Sequence, residues 1–141
     1  MKTQGGWIRS FLLRWGPALL WMALIFAFSA DSDPYRMLPD WEEKCLSARL
    51  NGLCQDEMLG RVSHVLEYAV LAVLFSRALT WGSAPRRMFL ALAAGISAAY
   101  ALLDEVHQLF VPGRTFQFFD LGLDVCGIVL GVLLYGLVKR R

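Results

Sequence analysis

Four long apolar runs separated by polar segments predict an all-α integral membrane protein: four transmembrane helices in a compact bundle, one domain over residues 1–141. Two observations carry that prediction. Hydrophobic residues make up 57 % of the chain and mean hydropathy is +0.47, whereas a soluble domain holds roughly 45–50 %. The apolar residues are also bunched into runs of about 20, the length that crosses a hydrocarbon core of about 30 Å. A net charge of +2 with no basic, aromatic-studded face argues against a nucleic-acid partner and leaves membrane lipids as the partner implied.

The first run, residues 11–30, is broken only by Arg14, whose stem can snorkel to the interface. A basic start and the Ala27-Phe28-Ser29 sequence make a cleavable signal peptide the alternative, but length and Trp15 and Trp21 favour a retained helix. Residues 31–61 are polar and net acidic. Within them Asp40 and Glu43 have capping-box spacing, and Trp41, Cys45, Leu46 and Leu50 share one helical face, so a short surface helix is expected in this first outer loop. Cys45 and Cys54 either remain thiols or, in an oxidising compartment, form a short-loop disulfide that stabilises by about 2–3 kcal/mol.

Residues 62–81 form the second run, with His64 and Glu67 near its start and Arg77 near its end. A short basic turn at 82–87 leads to the third run, 88–110, rich in alanine, glycine and serine that let helices approach closely. The fourth run, 121–138, carries Cys126 and sets Gly127 and Gly131 at small-xxx-small spacing before a basic tail. The basic N-terminus, 82–87 turn and tail should lie in the cytoplasm, which puts residues 31–61 and the turn at 111–120 outside.

Acids are nearly absent from these runs except near one level. Counting 1.5 Å per residue from the outer ends, His64 and Glu67 lie about 3 and 8 Å into the second helix and Asp124 about 6 Å into the fourth. The third helix travels outward and brings Asp104, Glu105, His107 and Gln108 to a similar depth. Helical spacing groups His64, Glu67 and Tyr68, then Asp104, His107 and Gln108 with Tyr100 a turn below, then Asp120 and Asp124. Charges at such depth are costly, so these carboxylates should be paired, protonated or metal-bound. Arg114, after the Pro112-Gly113 turn, is placed to fold back over them, and Phe116, Phe118 and Phe119 can anchor the turn. Plainer roles exist for several: Asp104 and Glu105 as a solvated helix end, Asp120 as a helix N-cap, His64 as a packing residue, Arg114 as a headgroup contact.

These stretches resemble the VanZ-like family of bacterial membrane proteins. The matching pieces are RVSHVLEY at residues 61–68, YALLDEVHQLFVPGR at 100–114 and DLGLDVCGIVLG at 120–131. The DE-x-x-Q-x-F-x-P-G-R string from Asp104 to Arg114 is the most specific. Arg61 stands where the family usually has lysine, and Asp124 where it usually has asparagine. The resemblance implies a polytopic inner-membrane protein of the cell envelope. Its founding member is linked to low-level resistance to the glycopeptide teicoplanin, and the family has no agreed reaction.

Three functions fit the residues. In the first, His64, Glu67, Tyr68, Asp104, Glu105, Gln108, Arg114, Asp120 and Asp124 form an outer polar layer that binds the headgroup of a lipid, a lipid-linked envelope precursor or a glycopeptide. In the second, His64, Glu67, Asp104, Glu105 and Asp124 serve a metal-dependent hydrolase or transferase of an envelope lipid, although no HExxH-like motif is present. In the third, the acids pair with Arg61 and Arg114 in a purely structural bundle. No catalytic residue, cofactor or resident metal is assigned from the sequence.

Overall fold

The computed structural model describes residues 4–31, 56–80 and 85–138. Among these the chain forms helices α1 (Gln4–Ser29), α2 (Asp56–Leu79), α3 (Arg86–Gln108) and α4 (Phe118–Val138), and no strand. Each helix contains a stretch long and apolar enough to cross a membrane. The surface helix expected in the first outer loop, the Cys45–Cys54 pairing and the basic tail at 139–141 lie outside the described residues. All four helices begin before the apolar runs do. An apolar run marks only what hydrocarbon accepts, whereas helical hydrogen bonding continues through polar turns at the interface until the chain is forced to change direction.

Two such stops frame α3. Pro85, with extended backbone (φ −56, ψ 130), precedes its first turn, where the missing N–H of proline costs nothing. Beyond Gln108 the chain turns back at Gly113, whose φ of 83 suits a residue without a side chain. The Arg114 N–H then donates to the Val111 carbonyl at 3.1 Å, closing the turn.

Helix α2 is the hub, packed against all three others and most extensively against α4. The reason is local to α4: a Cβ added at Gly127 would collide with the Val65 carbonyl, and one at Gly131 with the Ala69 carbonyl. Two glycines four residues apart therefore let the helix backbones touch, which dispersion rewards where lipid supplies no hydrophobic drive. Around this seam Tyr68, Leu71, Ala72 and Phe75 of α2 pack with Ala93 and Ala101 of α3, Ile128 of α4, and Ala18 and Ile25 of α1.

Helix α1 is held by backbone hydrogen bonds that side chains supply. Pro17 cannot donate to the carbonyl four residues before it, Leu13, and the Arg77 guanidinium of α2 donates to that carbonyl at 3.5 Å. One turn further, the Trp21 indole N–H donates to the Glu67 carbonyl at 2.9 Å, and the Tyr100 hydroxyl donates to the Met22 carbonyl at 2.6 Å. Leu12, Leu13, Leu19, Leu20 and Leu24 of α1 are exposed, as residues facing lipid are.

The end of the bundle remote from Gly113 is closed by Arg86. Its guanidinium donates to the Tyr135 and Gly136 carbonyls at 2.9 and 3.0 Å and lies 5.9 Å from the Tyr135 ring centroid. A cation thereby meets carbonyls that the last turn of α4 leaves without helical partners. The Thr80 hydroxyl donates to Ser76, so the Tyr135 hydroxyl at 2.7 Å donates to Thr80 and ties in the end of α2.

Candidate functional site

At the other end, α2, α3 and α4 bring His64 together with the buried acids Asp104, Glu105 and Asp124. The glycine seam sets their register. Because Gly127 brings α4 onto Val65, Asp124, one turn earlier on the same face, is carried to the neighbouring His64. The His64 Nδ1–H donates to Asp124 Oδ1 at 2.9 Å, with the two side chains 13 % and 1 % exposed.

Helix α3 turns Ala101, Asp104, Glu105 and Gln108 inward. These positions follow the i, i+3, i+4, i+7 rhythm of one helical face. Asp104 Oδ2 accepts from Gln108 Nε2 at 3.3 Å, and the buried Ser29 hydroxyl lies beside Asp104 without completing a well-formed hydrogen bond. Glu105 is fully buried, and its Oε2 accepts the Gln117 backbone N–H at 3.0 Å. A side chain of α3 thus holds the residue just before α4, which fixes where α4 enters the bundle.

Glu67 is half-buried next to this cluster, its backbone held by the Trp21 indole. Tyr68 is fully buried beneath it, its ring 6.4 Å from that of Tyr100. Asp120 lies half-buried in the first turn of α4, where the helix dipole favours an acid, rather than at the cap. Arg114 donates from Nη2 to the Asp31 carbonyl at 2.9 Å, linking the Pro112-Gly113 turn to the end of α1. Arg61 stacks on Phe119, its Cζ 5.0 Å from the ring centroid. Phe118 is exposed and packs edge-on against Phe116 at 4.9 Å between centroids.

The structure therefore brings His64, Glu105 and Asp124 together, sets Asp104 and Gln108 side by side, and leaves Arg114 on the turn, bonded to the Asp31 carbonyl. His107 takes a different place from the one its spacing with Asp104 suggests: its ring packs on Phe26 of α1, with centroids 4.3 Å apart. One contributor carries no sequence signal: Gln117 supplies a backbone N–H that no side-chain pattern announces.

Several buried oxygens in this layer have no hydrogen-bond partner among the described residues: Asp104 Oδ1, Glu105 Oε1, Asp124 Oδ2 and the Tyr68 hydroxyl. Buried polar atoms are almost always satisfied, and each one left bare costs about 1–3 kcal/mol. A cluster of them marks a place for water, an ion or a polar ligand. His64, Glu105 and Asp124 each offer one ligand atom, all within 4.8 Å of one another.

The comparison with known families agrees with the architecture. No curated protein and no solved structure matches the chain. A family model described as VanZ/LLP1 matches residues 14–139, which takes in all of the layer just described. With four apolar helices and that match, the chain is a multi-pass membrane protein and belongs to the VanZ/LLP1 family.

Proposed function

We propose that this membrane protein acts in the bacterial cell envelope, in the inner membrane with both termini cytoplasmic, and that its outward-facing polar layer binds the headgroup of a lipid or of a lipid-linked, glycopeptide-type precursor. The observation that carries this reading is the set of buried, unpartnered oxygens on Tyr68, Asp104, Glu105 and Asp124. They offer acceptors, and one donor hydroxyl, to a sugar or an amine. Arg114, on the turn between α3 and α4, adds a guanidinium suited to phosphate or carboxylate. Altered handling of such a precursor would be the route to glycopeptide tolerance of the teicoplanin kind.

Purified protein in nanodiscs should bind lipid-linked cell-wall precursor, and Arg114→Ala should weaken binding about tenfold, or ~1.4 kcal/mol. Unchanged affinity would remove Arg114 from the reading. A purely structural bundle is the competitor, favoured by the His64–Asp124 and Glu105–Gln117 bonds, which hold helices together whether or not anything binds. Glu67→Gln separates the two. A stable protein with lost binding supports a ligand site, whereas loss of the protein itself supports the structural bundle.

A further inference from the structure

We infer that His64, Glu105 and Asp124 form a binding site for one divalent transition-metal ion, Zn²⁺ or Mn²⁺, held between α2, α3 and α4. The three ligand atoms come from three helices and lie within 4.8 Å of one another. His64 Nδ1 and Asp124 Oδ1, 2.9 Å apart, have the spacing of neighbouring ligands on a six-coordinate ion at 2.0–2.2 Å, about 2.8–3.1 Å, once the ion takes the place of the proton between them. Asp124 and Glu105 are 1 % and 0 % exposed, and each keeps one oxygen, Oδ2 and Oε1, without a hydrogen-bond partner among the described residues. Such oxygens are what a coordination sphere requires.

The arrangement around them favours an ion over chance proximity. The Gln117 N–H on Glu105 Oε2 fixes that carboxylate while leaving Oε1 free to ligate, the outer-shell support that metal ligands ordinarily carry. One imidazole with two carboxylates suits Zn²⁺ or Mn²⁺ better than a soft ion, and Cys126 is exposed, turned away from the cluster. Charge supplies the strongest reason. Two carboxylates buried in a membrane span with a single histidine are expensive, and a doubly charged ion neutralises both.

The same ion would offset the negative charge of a layer that holds Glu67, Asp104, Glu105, Asp120 and Asp124, and so let an anionic headgroup approach. To that extent the site rests on the headgroup reading for its purpose. Its test does not, because ion uptake is measured with no lipid ligand present.

Full-length protein, stripped with chelator in detergent and dialysed against Zn²⁺ or Mn²⁺ alone, should retain about one ion per chain and gain thermal stability on ion addition. Asp124→Asn and Glu105→Gln keep the hydrogen-bond acceptors for His64 and Gln117 and should bind the ion at least tenfold more weakly. Asp104→Asn, in the same layer but outside the triad, should retain it. No retained ion in the unsubstituted protein, or retention indifferent to both triad substitutions, would mean an adventitious ion only and overturn the site. X-ray absorption at the metal edge of the unsubstituted protein decides the matter should the variants fail to fold. One imidazole with oxygen neighbours supports the site, and an all-oxygen or thiolate shell overturns it. Failure to take up the ion leaves precursor binding to be judged by its own assay.

Discussion

His64 on α2 and Asp124 on α4, 60 residues apart in the chain, share a hydrogen bond of 2.9 Å at the end of the bundle that carries the Gly113 turn. Removing either partner strands the other where water is scarce. His64→Ala and Asp124→Ala should each cost about 1–3 kcal/mol, and the double variant clearly less than their sum. Thermal unfolding of the four proteins in detergent measures this, and strictly additive losses would show that the two side chains act independently.

The α2–α4 seam predicts opposite outcomes for glycines in one helix. Gly127→Val and Gly131→Val would drive side-chain atoms into the Val65 and Ala69 backbone and should destabilise by about 1–3 kcal/mol each. Gly122 has nothing within 4 Å of where its Cβ would lie, so Gly122→Ala should be neutral or stabilise by up to about 1 kcal/mol. Equal effects at the three positions would argue that helix propensity, not interhelical distance, is being measured.

Arg86 holds two carbonyls at the end of α4. Arg86→Ala should cost about 1.5–3 kcal/mol, as expected for hydrogen bonds to a charged donor, and Arg86→Lys should recover only part of it because an ammonium lacks the guanidinium fork. The check is the midpoint of thermal aggregation for the three proteins side by side.

Pro17 and Arg77 should be coupled through the Leu13 carbonyl that lies between them. At 3.5 Å the bond is long, and Arg77→Ala should cost only about 0.5 kcal/mol. In a Pro17→Ala background, residue 17 regains its N–H and satisfies Leu13 within α1, so the same Arg77 substitution should cost nothing. An undiminished penalty would place the contribution of Arg77 elsewhere, for instance in the packing of its stem.

Much of the architecture was legible before any coordinates. A bilayer accepts only segments that satisfy their own backbone hydrogen bonds under an apolar surface, so four runs of suitable length already determined four helices. The small-xxx-small spacing of Gly127 and Gly131 marked the tight face of α4, and the cluster of polar residues around Asp104 marked the end of the bundle where buried acids meet His64. The first turns of each helix were not legible, because interfacial water tolerates polar helical residues that carry no apolar signature.

Which polar side chains meet was decided by the tertiary structure alone. Successive residues of a helix are separated by about 100°, so Asp104 and Gln108 lie on one side with room for either Glu105 or His107 as their neighbour on the inward arc. Helical spacing allows both. Helix α1 settles the choice by bringing Phe26 against His107, which rotates Glu105 to full burial and within reach of the Gln117 N–H. The His64–Asp124 pair likewise depends on α4 touching Val65, a distance between helices that periodicity within either one does not contain. Local pattern determined which faces are polar; the packing of neighbours determined which of those polar atoms find one another.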